Sequence, residues 1–325
     1  RYLQLPGGPD AVETITVREH LARDRCDDPS LPLVLLTLHP GYAAGSYQER
    51  DYFELLTPLL FQACWKRCRL RILTINHAGY DHPPGDEIDR FRLEPYSMPG
   101  QPLVINRVLR QLLQEDFAAE DQILLVAYGH SMGGVALAQA DLRQLVKELS
   151  RDGRELCTQK ILSAPAFALS REAHKSLGRL NVLQALKDSV GRLPLYDPVA
   201  KGLFRSIAPM LYRRDAARYS LNPNDSFIDF RQYDPFLLLK QGRELLRQDR
   251  DLEQLAALMD GAHLFILDGD LMVDSQRLLR AAYYANSNGS TVSVQRITAP
   301  HNAERERPHL IAERLHRVIM GTIGN

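Results

Sequence analysis

A strand, a sharp turn and a helix follow one another in the stretch Ile123-Leu-Leu-Val-Ala-Tyr-Gly-His-Ser-Met-Gly-Gly134. The apolar run 123–128 predicts a strand buried on both faces, and the residues from Val135 onward have the apolar spacing of a helix. Between them lies a G-x-S-x-G turn, which strains the serine backbone and leaves its hydroxyl projecting from the sheet edge. A small-residue turn that only packs a helix on a strand is the alternative. The surrounding pattern favours Ser131 as a nucleophile.

The glycines of this turn and the start of its helix have separate predicted roles. A side chain at Gly129 or Gly133 would collide with the neighbouring strand or helix, so both positions require glycine. The backbone N–H of Met132 lies at the helix N-terminus, where the partial positive charge would stabilise an oxyanion. Met132 is therefore one predicted oxyanion donor.

A second glycine-rich segment, His39-Pro-Gly-Tyr-Ala-Ala-Gly-Ser46, directly follows a predicted buried strand at 33–38. A loop in this position usually supplies the second backbone N–H of an oxyanion hole. Gly41 or Tyr42 is the predicted donor. We interpret His39 as a residue that braces the loop through a hydrogen bond, in preference to one that transfers a proton.

Strands and helices alternate along most of the chain, which predicts an α/β fold with a mostly parallel sheet flanked by helices. Further strands are predicted at 12–18, 70–75, 160–163, 263–267 and 291–297. Helices are predicted at 54–67, 103–116, 276–284 and 308–320.

The segment 166–261 differs because it contains no convincing strand, only helical stretches interrupted by prolines. We expect it to be a helical cap inserted into a core formed by 1–165 and 262–325, with a simple helical layer as the alternative. Its apolar residues predict an acyl-chain pocket above Ser131, although packing within the insert explains them equally well. These residues are Leu203, Phe204, Met210, Leu211, Phe236 and Leu237. The basic, apolar stretch 203–214 favours an ordinary amphipathic helix over contact with a membrane surface.

A serine nucleophile needs a base, and the base needs a third group that fixes its tautomer. In the order serine, acid, histidine, each partner follows the end of a later strand. His301 directly follows the final strand, whereas His309 and His316 lie in the terminal helix. His130 lies inside the turn, and its side chain is expected to point away from that of Ser131.

The acid is sought at the strand end that carries Asp268, Asp270 and Asp274. Each of them could be the acid of a catalytic triad. Each could equally cap a loop or form a turn, which is the usual role of aspartate in such a position. The spacing alone does not choose among them.

The chain resembles the α/β-hydrolases, and among them the serine hydrolases that include monoacylglycerol lipases and lysophospholipases. The resemblance rests on Gly129-His-Ser-Met-Gly-Gly134, His39-Pro-Gly-Tyr42, Asp270-Leu-Met-Val-Asp-Ser275 and His301. In that group the first aspartate of a D-x-x-x-D-S stretch is the triad acid. The resemblance therefore implies the triad Ser131, Asp270 and His301, with Asp274 as the alternative acid.

Two departures from the group pattern affect the loops around the predicted site. Pro40 separates His39 from Gly41, where the group usually has His-Gly directly, and Asn302 follows His301 in place of an apolar or acidic residue. These departures bear on two expectations: which residues form the oxyanion hole, and what the substrate is.

The predicted function is hydrolysis of a carboxylic ester or thioester, with an acyl chain, by a serine hydrolase that needs neither metal nor organic cofactor. A non-catalytic protein of the same fold that binds a ligand or a partner is one alternative, and the intact serine, acid and histidine argue against it. A peptidase or an acyltransferase is another alternative, because the acyl-enzyme step is shared. The predicted partner is a small-molecule ester or acyl substrate.

The charge balance and the cysteines limit other functions. Lysines plus arginines equal aspartates plus glutamates at 40 each, which gives no support for nucleic-acid binding. No apolar run approaches the ~18 residues of a membrane span. The cysteines are Cys26, Cys64, Cys68 and Cys157, and they lack the spacing of a zinc site. The spacing of His77, Asp81 and His82 is also irregular, so we expect a hydrogen-bonded loop there.

Free thiols fit a reducing compartment, and a cytoplasmic location is the expectation. The start at Arg1 rather than Met leaves open whether a signal peptide has been removed. The sequence does not predict an oligomeric state.

Overall fold

Eight strands form one sheet in the part of the chain that the computed structural model describes, which comprises residues 2–4, 14–22, 26–42, 44, 46–47, 50–80, 96–175, 177–178, 235–248 and 250–324. The ten strands of the described residues are β1 (Tyr2–Gln4), β2 (Thr14–His20), β3 (Leu33–His39), β4 (Ser46–Tyr47), β5 (Arg50–Asp51), β6 (Arg69–Ile75), β7 (Gln122–His130), β8 (Glu155–Ser163), β9 (Ala262–Leu267) and β10 (Ser293–Ile297). The sheet order is β1-β2-β6-β3-β7-β8-β9-β10, and β4 and β5 form a separate pair. The run from β6 to β10 is parallel, whereas β2 is antiparallel to β6 and β1 is antiparallel to β2.

Helices connect these strands and cover the sheet. They are α1 (Thr57–Ala63), α2 (Gln101–Glu115), α3 (Met132–Gln139), α4 (Leu142–Arg151), α5 (Pro235–Leu246), α6 (Leu252–Met259), α7 (Ser275–Ser287), α8 (Ala303–Glu306) and α9 (Pro308–Ile323). Among them, α3 packs on β7, α4 on β8, α1 on α9, and α6 on α7. The predicted layout of a mostly parallel sheet flanked by helices is confirmed.

The register of the central strands brings the predicted site together at one edge of the sheet. His39 at the end of β3 pairs with Gly129, and His130 at the end of β7 pairs with Ser163 at the end of β8. Every residue of β3 is buried, as is every residue of β7 after Gln122, in agreement with their continuous apolar sequences. The loop after β3 and the turn that carries Ser131 after β7 therefore leave adjacent buried strands.

Two element boundaries differ from the predictions for identifiable reasons. The helix predicted at 54–67 is limited to Thr57–Ala63, because the chain before it forms turns in which the Asp51 carboxylate accepts the backbone N–H of Phe53. The strand predicted at 160–163 begins earlier, at Glu155. Its first half is polar and partly exposed, so no apolar run marks it.

The predicted helical insert at 166–261 lies largely outside the described residues. Leu203, Phe204, Met210 and Leu211 are among the residues not described, as are Asp81 and His82. The helices α5 and α6 are described, and Leu237 of α5 is buried. The domain boundaries and the acyl-chain pocket stay predictions.

The described residues include neither a membrane-spanning helix nor a metal-binding cluster. None of the described helices has the length and apolar content that crossing a bilayer requires. The same part of the chain contains no cluster of three or more histidine, cysteine or acidic side chains arranged to hold a metal ion. The four cysteines are free thiols, and Cys64 and Cys68 are buried.

Candidate active site

The backbone of Ser131 is strained, as the sequence predicts for a serine in this turn. Its φ of 52° and ψ of −115° lie where residues other than glycine are rare. Main-chain hydrogen bonds hold this conformation: Ser131 donates to the carbonyl of Ser163 at 2.9 Å, and the carbonyl of Ser131 accepts from Val135 at 3.2 Å and from Ala166 at 3.1 Å. The strain is therefore supported by the neighbouring strand and by the first turn of α3.

Close backbone packing explains the two glycines of the turn. A Cβ atom on Gly129 would lie 2.6 Å from the carbonyl oxygen of Gly133. A Cβ atom on Gly133 would lie 2.2 Å from the carbonyl oxygen of His39. Both neighbours are backbone atoms that cannot move aside freely, so the predicted collisions are confirmed.

His301 lies between the serine and a carboxylate. Its Nε2 is 3.1 Å from Oγ of Ser131, and its Nδ1 is 2.7 Å from Oδ2 of Asp270. The three residues are largely buried, with exposed fractions of 5% for Ser131, 8% for Asp270 and 9% for His301. With Asp270 ionised, its oxygens can only accept, so Nδ1 of His301 carries the proton and Nε2 faces the serine as an acceptor.

The three aspartates near β9 have different partners. Oδ1 of Asp270 accepts the backbone N–H groups of Met272 at 2.7 Å and Val273 at 3.1 Å, which orients Oδ2 toward His301. Asp274 is the N-cap of α7 and accepts the N–H of Arg277 at 2.9 Å. Asp268 pairs with Arg296. The geometry thus brings Asp270 to His301 and gives Asp274, the predicted alternative acid, a capping contact.

Main-chain contacts fix the loops that carry the acid and the histidine. Asp268 donates its N–H to the carbonyl of Ile297 at 2.9 Å, and Gly269 donates to the carbonyl of Ala299 at 3.1 Å. The parallel pairing of β9 and β10 therefore continues past the strand ends toward Asp270 and His301.

The charge environment raises the pKa of His301. Burial by itself would lower this pKa, but the charge of Asp270, the hydrogen bond to it and the charge of Glu304 together raise it above 6.5. The arrangement therefore favours a histidine that accepts a proton readily.

The loop predicted to supply an oxyanion donor lies against the serine. A Cβ atom on Gly41 would be 3.2 Å from Cβ of Ser131, so the backbone of Gly41 directly adjoins it. The hydroxyl of Tyr42 donates to the carbonyl of Leu238 in α5 at 2.8 Å, which fixes the next residue of the loop. Met132 is the first residue of α3. Gly41 and Met132 therefore adjoin Ser131, Tyr42 follows Gly41 in the chain, and the role of all three as donors stays a prediction.

Two buried histidines lie next to this loop, and His77 contacts it directly. Nε2 of His39 lies 3.2 Å from Oγ1 of Thr37, and Nε2 of His77 donates to the carbonyl of Pro40 at 2.6 Å. Burial lowers the pKa of His39 to about 3 and that of His77 to about 4. Both rings are neutral at ordinary pH. The hydrogen bond of His39 lies within β3, so the bracing of the loop by this residue stays a prediction.

A buried acidic residue that the sequence analysis did not identify lies beside the site. Glu304 is 0% exposed and lies in the short helix α8, three residues after His301. It accepts hydrogen bonds from the hydroxyls of Tyr128, Tyr52 and Ser163, and it is 3.2 Å from Nδ1 of His130. A glutamate in a charged helical stretch normally indicates a solvated face, so its sequence context gives no signal of this burial.

Comparisons with known proteins agree on the fold. The sequence matches no protein-family model and no curated protein sequence. The structure is similar to that of a carboxyl esterase from Bacillus coagulans, at 14% identity over 99% of this chain and 98% of that chain, with a TM-score of 0.57. It is also similar to a thermophilic esterase from Thermogutta terrifontis, at 15% identity over 100% and 99% of the two chains, with a TM-score of 0.53.

An enol-lactonase from Burkholderia xenovorans LB400 is similar as well, at 14% identity over the full length of both chains, with a TM-score of 0.51. These similarities extend over whole chains at low identity, so they show the architecture. The chain has the α/β-hydrolase fold, as its sequence predicts.

Proposed function

We propose that the protein is a serine hydrolase that cleaves a carboxylic ester, with Ser131 as nucleophile, His301 as base and Asp270 as the acid that orients it. The observation that carries the proposal is the continuous chain of contacts from Oγ of Ser131 through His301 to Asp270, at 3.1 Å and 2.7 Å, on a strained turn. The strained backbone adds to the argument because such conformations concentrate at functional sites.

The first half of the proposed reaction forms an acyl-enzyme. Nε2 of His301 takes the proton of Ser131 as Oγ attacks the ester carbonyl carbon, and the carbonyl oxygen becomes an oxyanion. The N–H of Met132 and an N–H of Gly41 or Tyr42 would hold this oxyanion. When the tetrahedral intermediate collapses, the ester C–O bond breaks and His301 returns the proton to the leaving alcohol.

The second half releases the acid. A water molecule gives a proton to Nε2 of His301 and attacks the acyl carbon, which forms a second oxyanion in the same position. The bond to Oγ then breaks, and the proton on His301 returns to Ser131. Asp270 stays ionised throughout and stabilises the protonated imidazole. Each residue ends the cycle in its starting state, and no cofactor is consumed.

The proposed substrate is a small-molecule ester, with a thioester as the chemical variant. The similar structures are those of esterases and an enol-lactonase, whose substrates share the acyl–oxygen bond that this mechanism would break. An acyl chain follows from the resemblance to the monoacylglycerol lipases and lysophospholipases and from the predicted cap. Residues of that cap lie mostly outside the described part of the chain, so the acyl preference rests on sequence.

A fluorophosphonate probe tests the nucleophile directly. It should label the wild type with one phosphonyl group on Ser131, identified by mass spectrometry of the modified peptide, and should leave Ser131→Ala unlabelled. Circular dichroism and thermal unfolding serve as controls that the variant is folded. Equal labelling of both proteins, or no labelling of a folded wild type, would contradict the proposal.

A substrate panel then tests the reaction type. Hydrolysis of p-nitrophenyl esters, acyl thioesters, monoacylglycerols and aminoacyl amides should be compared at one enzyme concentration, with Ser131→Ala as the blank. We expect turnover of esters above that of amides. Preferential amide cleavage would assign the same three residues to a peptidase.

A further inference from the structure

Glu304 is a charged group in a position where charge is costly. Moving an ionised carboxylate into the protein interior is unfavourable unless hydrogen bonds and an opposite charge compensate it. Its two oxygens accept from the hydroxyls of Tyr52, Tyr128 and Ser163. Burial would raise the pKa of Glu304, but His130 and the hydrogen bond from Tyr128 lower it to about 2. The side chain is therefore an anion over the whole working range of pH.

The partners of Glu304 belong to the elements that build the site. Tyr128 and His130 lie in β7, directly before the serine, and Ser163 ends the neighbouring strand β8. The carbonyl of Ser163 also accepts the backbone N–H of Ser131. The Glu304 carboxylate thus contacts β7, which leads into the strained turn, and β8, which accepts the backbone N–H of Ser131.

His130 links this carboxylate to the base. Its ring is stacked on Tyr52, with centroids 5.4 Å apart and planes 18° apart. On another side, the centroid of His130 lies 4.9 Å from that of His301, with the planes tilted by 51°. Nδ1 of His130 lies 3.2 Å from Oε1 of Glu304, without the alignment of a directed hydrogen bond. His130 is therefore enclosed by Tyr52, Glu304 and His301.

We propose that Glu304 and His130 are positioning residues of the reaction assigned above: the carboxylate fixes the His130 ring against His301 and adds a second negative charge behind the base. The inference rests on the proposed function. In this proposal Glu304 and His130 need no contact with the substrate. They act through His301 and through the strands that carry Ser131.

The charged and titratable groups around His301 indicate how Glu304 and His130 should affect its protonation. Asp270 contacts Nδ1, the His130 ring lies against the imidazole, and the Glu304 carboxylate lies behind His130. Tyr52 and Tyr128 face Glu304, and burial together with the charge of Glu304 raises the pKa of both hydroxyls well above 10. Removing the charge of Glu304 should make protonation of His301 less favourable.

The test compares Glu304→Gln with Glu306→Gln. Both replacements remove one carboxylate from α8, but Glu306 is exposed and serves as the matched control. The protonation midpoint of His301 can be followed by NMR of ¹³C-labelled histidine without any substrate. We expect it to fall in Glu304→Gln and to stay at the wild-type value in Glu306→Gln. An unchanged midpoint in folded Glu304→Gln would overturn the electrostatic part of the proposal.

A kinetic readout separates positioning from simple stabilisation. In Glu304→Gln we expect kcat to fall by roughly tenfold while KM stays within about twofold, because substrate contacts are kept and the base is displaced. His130→Asn provides a second variant that leaves Glu304 in place, and it should also lower kcat with little change in KM. Wild-type kcat in a folded His130→Asn protein would overturn the positioning role.

The outcomes are distinguishable from failure of the proposed function. If the fluorophosphonate probe does not label the wild type, the serine-hydrolase assignment fails, while the NMR titration still reports the effect of the Glu304 charge on protonation of His301. If the probe labels Ser131 at the same rate in the wild type, Glu304→Gln and His130→Asn, the hydrolase assignment stands and the positioning proposal fails.

Discussion

Asp270 meets His301 through only one of its two carboxylate oxygens. Oδ2 lies 2.7 Å from Nδ1 of the histidine, while Oδ1 accepts two backbone N–H groups from the loop that follows. The backbone thus fixes the direction of the carboxylate, and the carboxylate fixes the imidazole. Asp268 and Asp274 make different contacts, so substitutions can distinguish the three aspartates.

Asp270→Asn should reduce kcat by roughly a thousandfold or more, because the amide can stabilise the wrong tautomer of His301. Asp274→Asn should retain most activity, because asparagine is also a good N-cap for α7. Steady-state kinetics and thermal unfolding of both variants check this. Loss of turnover in Asp274→Asn instead would reverse the assignment of the acid.

Ser131 and His301 should act as one unit. Ser131→Ala and His301→Ala should each lower kcat by several orders of magnitude, and the double variant should lose little more than either single variant, since each change removes the same attack. The test is to measure kcat of the three variants and the wild type after subtraction of the uncatalysed rate. Losses that multiply would show that His301 is not the base for Ser131.

The pH dependence should report the environment of His301. Turnover requires the neutral imidazole, so kcat/KM should rise with pH as His301 loses its proton, with a midpoint above 6.5 because the pKa is raised. In Asp270→Asn the same midpoint should fall, since the charge that favours the protonated ring is removed. A pH–rate profile of an activated ester measures both. A midpoint that is insensitive to Asp270 would assign it to another group.

Gly133→Ala should prevent correct formation of the turn. Its Cβ would lie 2.2 Å from the carbonyl oxygen of His39, so a strand end or the start of α3 must shift, at a cost of about 1–3 kcal/mol or more. Gly321→Ala is the matched control because its Cβ meets open space within α9, where alanine gains up to about 1 kcal/mol. Denaturant unfolding should show a lower free energy of unfolding than the wild type for Gly133→Ala and a higher one for Gly321→Ala. Equal stability would mean that the turn accommodates a side chain.

Acyl-chain length tests the predicted pocket. Each buried methylene contributes about 0.8 kcal/mol, so extending an ester from four to eight carbons should raise kcat/KM by roughly a hundredfold when most of that energy is expressed in the transition state. A series of p-nitrophenyl esters at concentrations below their micelle limits measures this. A flat or falling profile would remove the acyl pocket and leave the triad proposal intact.

The buried strands could be predicted from sequence because their apolar runs are continuous. The strand at 33–38 and the strand at 263–267 each lie within one residue of the observed bounds. The strand that begins at Glu155 was recognised only in its last four residues, since its first half is polar and pairs with β7 through backbone atoms that carry no sequence pattern.

The proximity of Ser131 and His301 could be predicted because each follows a strand in a recognisable order. The choice of Asp270 came from the family resemblance and agrees with the contact to His301. Glu304 could not be predicted, because its partners Tyr52, Tyr128 and Ser163 lie more than 140 positions away along the chain. Long-range burial of a charge leaves no periodic signature in a single sequence.

The ladder that continues past β9 and β10 has a consequence for how this site can change. Because Asp268 and Gly269 are joined to Ile297 and Ala299 through main-chain atoms, the separation between acid and histidine does not depend on the side chain at position 268. Substitutions at the exposed Leu271, on the same loop, leave that main-chain ladder in place. Position 271 should therefore tolerate substitution while the spacing between Asp270 and His301 is kept.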